Sequence, residues 1–152
     1  MEWYASRPTV LVAAGGLITD ESGAVLMVKP NYRDHWGLPG GVVDQDEPPH
    51  VACGREVEEE VGLVRPVGDL LAVSWAPPFG DRRKPMIYFL YDCGTVPAGA
   101  QITLQTSELD AYAFLPADEA ETRTEPMVAG RLTAALRART TGHAGYLVVT
   151  PV

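Results

Sequence analysis

The chain is short of several things. Two cysteines, Cys53 and Cys93, among 152 residues make no disulfide framework and read as buried thiols of a reducing compartment. No apolar run approaches the length that spans a membrane, and the first residues lack the basic-then-apolar pattern of a secretory leader. Cytoplasmic residence is the expectation. Basic residues are scarce as well: 12 Lys and Arg face 20 Asp and Glu, a formal charge of −8. That balance argues against duplex nucleic acid and against an anionic membrane surface as partners. The three histidines, His35, His50 and His143, have no metal-ligand spacing, and Ser74 and Ser107 lack a hydrolase motif around them.

What is present is an ordinary globular composition, 46% apolar, at a length that suits one domain. Val10 to Ile18 and Ala24 to Val28 are β-prone runs joined by Asp20-Glu21-Ser22-Gly23, a hairpin. Gly15-Gly16 marks a bulge or a close helix approach. Trp36 to Val43 carries a short strand and a tight turn at Gly40-Gly41. Arg65 to Ala76 reads as a long strand, Met86 to Cys93 as a central one, and Ile102 to Leu115 as a strand with a break. Pro116 to Glu121 starts a helical turn, Pro126 to Arg139 has the spacing of an amphipathic helix, and Tyr146 to Thr150 suits an edge strand.

The densest charge lies between Gly40 and Leu63. Asp46 or Glu47 is a candidate helix cap, Pro48 and Pro49 suit a first turn, and Gly62 supplies a stop, giving a helix over about Pro49 to Val61. At about 100° per residue, Glu56, Glu59 and Glu60 share one arc, while Cys53, Val57 and Val61 form an apolar stripe beside it. Glu58 points elsewhere. Like charges so placed repel by a few tenths of a kcal/mol per pair, a sign that a hard cation such as Mg²⁺ or Mn²⁺ reverses.

This segment resembles the signature of the Nudix hydrolases. It has Gly41, Glu47 after five residues, Arg55-Glu56 after seven more, Val57, Glu59-Glu60, Gly62 and Leu63, with Trp36-Gly37-Leu38-Pro39-Gly40-Gly41 leading in. At ordinary residue frequencies a chance match is rarer than roughly one in a billion per starting position. The resemblance implies an α/β/α sandwich around a mixed β-sheet and a Mg²⁺- or Mn²⁺-dependent hydrolase of a small-molecule diphosphate, a nucleotide foremost. It assigns the metal to Glu56, Glu59, Glu60 and the carbonyl of Gly40. Catalytic roles fall to Glu56, Glu59 and Arg55, with Gly41, Glu47 and Gly62 supporting the box and Glu47 paired to Arg55. Some relatives draw the base from a later loop, and Glu108 is the candidate here. Lys29, Arg33, Trp75, Phe79, Arg82 and Arg83 are candidate substrate contacts. Pro77 and Pro78 fall near a proline shared by ADP-ribose-cleaving relatives, so a nucleoside diphosphate sugar is the first substrate class and a modified nucleoside triphosphate the second. A non-nucleotide diphosphate and a nucleotide-sensing module without catalysis are the remaining readings; the module is disfavoured because the box glutamates are all present. Trp3 and Tyr4 on a terminal arm, with the frequency of dimers among relatives, suggest a homodimer.

Overall fold

The computed structural model describes residues 2–151. Its centre is β1 (Leu11–Asp20), where a nearly continuous apolar run is buried on both faces. On one side β1 runs parallel to β5 (Met86–Val96). On the other it pairs antiparallel with β2 (Val25–Pro30) near its end and with β3 (Gly40–Val42) near its start. With β4 (Leu70–Ala76), β6 (Leu109–Leu115) and β7 (Gly145–Val148), the strands form one mixed sheet in the order β6-β2-β1-β5-β4-β7, with β3 beside β1. Asp20 closes the β1–β2 hairpin through bonds that its carboxylate accepts from Ser22 and Ala24.

Helix α2 (Pro49–Val61) covers one face of the sheet. Cys53, Val57 and Val61 are fully buried there against Ala14, Ile18, Leu26 and Cys93. Full burial of each aliphatic side chain in that layer is worth about 1.5–3 kcal/mol. The opposite face is covered by α3 (Ala117–Arg123) and α4 (Ala129–Thr141), whose Leu132, Ala135 and Ala138 meet Leu17, Leu71 and Leu90. The arrangement is the expected α/β/α sandwich. A four-residue α1 (Glu2–Ala5) precedes it, with Trp3 and Tyr4 exposed. Among the described residues no helix is long and apolar enough to cross a membrane.

Several local expectations need correction. Gly40-Gly41 is not a tight turn but the start of β3, because β1 supplies it with strand partners at Gly15 and Ala14. Neither Asp46 nor Glu47 caps α2: the cap position is Pro48, without a side-chain bond, and Asp46 sits at φ 62° in the turn before it. The strand after the box begins at Leu70 rather than Arg65, and the later one at Leu109 rather than Ile102. The 102–105 segment serves α2 instead. Thr103 N–H donates to Val61 O and Gln105 N–H to Glu60 O, both at 2.9 Å, satisfying carbonyls that a helix end leaves free. The last helix starts as a 3₁₀ turn over Pro126–Val128, and its α-helical part runs on to Thr141.

Candidate active site

Helix α2 and strand β3 build the site between them. Glu60 is buried beneath β3, and one of its carboxylate oxygens accepts the Gly40 N–H at 2.7 Å. Glu56, one turn earlier, lies so close to β3 that a Cβ on Gly41 would stand 2.6 Å from its Oε1. Glycine is needed there because the backbone of β3 runs against the carboxylate. Gly62 ends α2 in the left-handed conformation, at φ 72°.

Arg55 organises the acids around it. It grips Glu47 with a two-pronged fork, Nε to Oε2 at 2.8 Å and Nη2 to Oε1 at 2.9 Å, and its Nη1 donates to Glu56 at 3.1 Å and Glu59 at 3.3 Å. Glu47 also accepts the Asp44 N–H at 3.1 Å, which ties the loop before α2 to the helix. The Arg55 fork holds the Glu47 carboxyl down to about 2, and Glu47 in turn raises Arg55. Burial pushes Glu56 up, opposed by Arg55. It pushes Glu60 further, to about 7, with the charges of Glu56 and Glu108 adding to the effect.

Glu108 is thereby placed at the carboxylates. It joins Glu56 and Glu60 in the wall of a cavity of about 280 Å³, together with Gly40, Gly41 and Arg33. Asn31 positions the Glu108 loop: its backbone N–H donates to Glu108 O at 2.9 Å, and its side-chain amide donates to Ser107 O at 3.0 Å. Glu59 stands outside this wall, half exposed beside Arg55. Among the described residues no three acidic, histidine or cysteine side chains converge in this conformation closely enough to hold a metal ion. Glu56 and Glu59 turn to Arg55, and Glu60 turns to Gly40. The donor set still suits a hard divalent cation: all its oxygens are carboxylate or carbonyl, and two of its acids are desolvated and disfavoured as bare anions.

A second, larger cleft of about 390 Å³ lies between the sheet and α4, and its wall shares residues with the first, Arg33, Gly40, Gly41 and Val42 among them. Phe79 and Arg82, from the loop after the box, line this cleft. Arg83 is exposed outside it. Lys29 is turned to Pro30 O at 2.9 Å and Asp110 at 3.5 Å, away from both cavities. Trp75 points away too, since Ser74 and Ala76 on either side of it face α4 and strand side chains alternate. Other residues of the cleft wall gave no functional signal in the linear sequence: Tyr32, Met86, Tyr88, Met127 and Arg131. For Arg131 the sequence shows only its placement: at about 100° per residue it falls inside the apolar arc, between Met127 and Ala135. Burial pushes Tyr88 up to about 12, and lowers Arg131 beside it.

A mixed sheet between helices, with a carboxylate helix laid against a glycine strand, defines a class of protein whose acids would meet phosphate only through a divalent cation. The chain belongs to the Nudix family: the NUDIX domain matches residues 9–136. It is a hydrolase of diphosphate bonds, in a family generally dependent on divalent metal. A MutT-like protein of Streptomyces ambofaciens is 30% identical over 131 residues, 86% of this chain and 80% of that protein. A MutT protein of Methanosarcina mazei Go1 shares the fold with a TM-score of 0.73 at 24% identity, over 90% of this chain and 99% of that one. An ADP-ribose pyrophosphatase of Streptococcus suis 89-1591 does so with a TM-score of 0.65 at 23% identity, over 92% of this chain and 99% of that one.

Proposed function

We propose that this chain hydrolyses a nucleoside diphosphate linked to a further group, using Mg²⁺ or Mn²⁺, with a nucleoside diphosphate sugar such as ADP-ribose as the preferred class. The observation that carries the reading is the wall that the two cavities share. Glu56, Glu60 and Glu108 occupy one end, an aromatic and arginine-lined cleft occupies the other, and Arg33 and Gly40-Gly41 stand between. At about 390 Å³ the cleft is within the size range of small-molecule sites and accommodates a substituent beyond the diphosphate. The ADP-ribose pyrophosphatase with this fold is in keeping with that class.

Glu56, Glu59, Glu60 and the Gly40 carbonyl would hold the metal, which when bound offsets phosphate charge and acidifies a coordinated water. The protein's own groups do the rest. Glu47 fixes Arg55, and Arg55 holds Glu56 and Glu59 in register. Glu56, in the cavity wall beside Glu60, is the acid that takes the proton of the attacking water. Glu108 shares the cavity wall with Glu56 and is the second candidate for that role. We place the enzyme in the cytoplasm as a homodimer.

The test is turnover of a substrate panel with Mg²⁺, with Mn²⁺ and with EDTA. ADP-ribose should be cleaved with metal and not in chelator. Full activity in EDTA would overturn the metal mechanism. A kcat/KM about tenfold higher for 8-oxo-dGTP or an ordinary triphosphate than for ADP-ribose, about 1.4 kcal/mol at the transition state, would move the substrate class to triphosphates.

A further inference from the structure

The α4 side of the cleft is positively charged in an acidic protein. Arg33, Arg82 and Arg131 face it, against one carboxylate, Glu125. Among the described residues none of the three forms a salt bridge, although the chain has 20 acids for 12 bases. Arg82 is engaged by the carbonyls of Pro77 and Lys84, and Arg33 rests over the Tyr32 ring at 5.4 Å.

Arg131 is the most constrained of them. Its Nε donates to the hydroxyl of Ser74, itself 1% exposed, at 2.7 Å. Its guanidinium lies 4.2 Å from the centroid of the Tyr88 ring, which steadies the charge from one side without neutralising it. Neither terminal nitrogen meets a protein acceptor among the described residues. No side-chain nitrogen or oxygen there is sealed from solvent without a partner, so both nitrogens keep access to solvent, and the residue lines the cleft. A fixed, planar pair of donors facing a partly apolar cleft, with two further cations beside it, is built for the oxygens of an anion.

We propose that this end of the cleft is an anion subsite, in which Arg131, supported by Arg33 and Arg82, binds a second phosphate carried on the nucleoside, apart from the cleaved diphosphate. The proposal rests on the functional reading above and sharpens it: the favoured substrate is a nucleoside diphosphate sugar whose nucleoside carries a further phosphate.

Binding and turnover test the two ideas separately. Calorimetry in EDTA, without any metal contribution, compares 5′-AMP with adenosine 2′,5′-bisphosphate on the full chain. The bisphosphate should bind about tenfold tighter. That preference should vanish in Arg131→Gln and survive in part in Arg131→Lys, with thermal melts checking that each variant is folded. With Mg²⁺, the 2′-phosphate of ADP-ribose should be favoured over ADP-ribose in kcat/KM by a similar factor. Equal binding of the two monitored ligands overturns the subsite, and so does a preference that both variants retain. A preference for 5′-GMP over 5′-AMP with no gain from the second phosphate also overturns it, and gives Arg131 to a base edge instead. If the bisphosphate preference holds while neither diphosphate is cleaved, the subsite stands and the substrate reading fails.

Discussion

At the scale of single residues, the site depends on how one arginine divides its donors. Arg55 gives two to Glu47 and one to the Glu56–Glu59 pair, so Glu47 is an anchor and Glu56 and Glu59 are the acids being placed. The anchor has a pH signature. Glu47 titrates at about 2 in the folded chain, below its ordinary 4.5, so its contribution to stability is complete above about pH 4.5 and is lost as pH falls through 2. Glu47→Gln should therefore melt below the native chain at pH 7, and the gap in Tm should close between about pH 4.5 and 2; a gap independent of pH would reject the ion pair as its source. Glu60 and Glu58 give a paired contrast on one helix. Glu60 is buried in the cavity wall, and Glu60→Gln should lower kcat by roughly two orders of magnitude or more. Glu58 is exposed on another side, and steady-state kinetics of Glu58→Gln should match the native enzyme within about twofold.

At the scale of elements, α2 was legible because its limits are written locally. Pro48-Pro49 and Gly62 bracket a run whose apolar stripe and acidic arc follow the helical period, and the helix spans Pro49 to Val61 as expected. Gly40-Gly41 was misread because glycine pairs mark turns in isolation, whereas here β1 draws them into a strand that passes against Glu56. That contact gives a prediction. In Gly41→Ala the new methyl would meet the end of a flexible side chain, so the fold should yield cheaply while Glu56 is displaced. We expect a kcat loss of about tenfold or more with little change in Tm; unaltered kcat would show that Glu56 acts from another position. The cleft was hardly legible at all. Ser74 comes from β4, Tyr88 from β5 and Arg131 from α4, and a periodicity that reports which face a residue occupies does not report what stands opposite. Trp75 failed as a substrate contact for the same reason, being one residue out of phase with Ser74.

At the scale of the whole molecule, the two faces of the sheet are covered unequally. Helices α3 and α4 close one face as far as β4 and β7, while α2 packs on β1, β3 and β5. Strand register then places Val73 and Trp75 of β4 beside Ile87 of β5 and Tyr146 and Val148 of β7, all on the side away from α4. Tyr146 is 71% exposed and Val148 56%, whereas Ala72, Ser74 and Ala76 on the α4 side are buried. A contiguous apolar area of this kind favours association, and large aromatic side chains each bring roughly 150–250 Å² toward the roughly 800 Å² per partner of a stable interface. The proposed homodimer is accordingly expected to form through this face, with two copies related by a two-fold axis. Light scattering at micromolar concentration should give twice the chain mass. Trp75→Lys and Val148→Lys should each return it to one chain mass, and hydrolysis by the dispersed chain should persist because both residues lie outside the cleft. A monomeric mass for the native protein would reject the dimer, and a dimer indifferent to both lysines would move its interface elsewhere, with the exposed Trp3 and Tyr4 of α1 the next surface to probe.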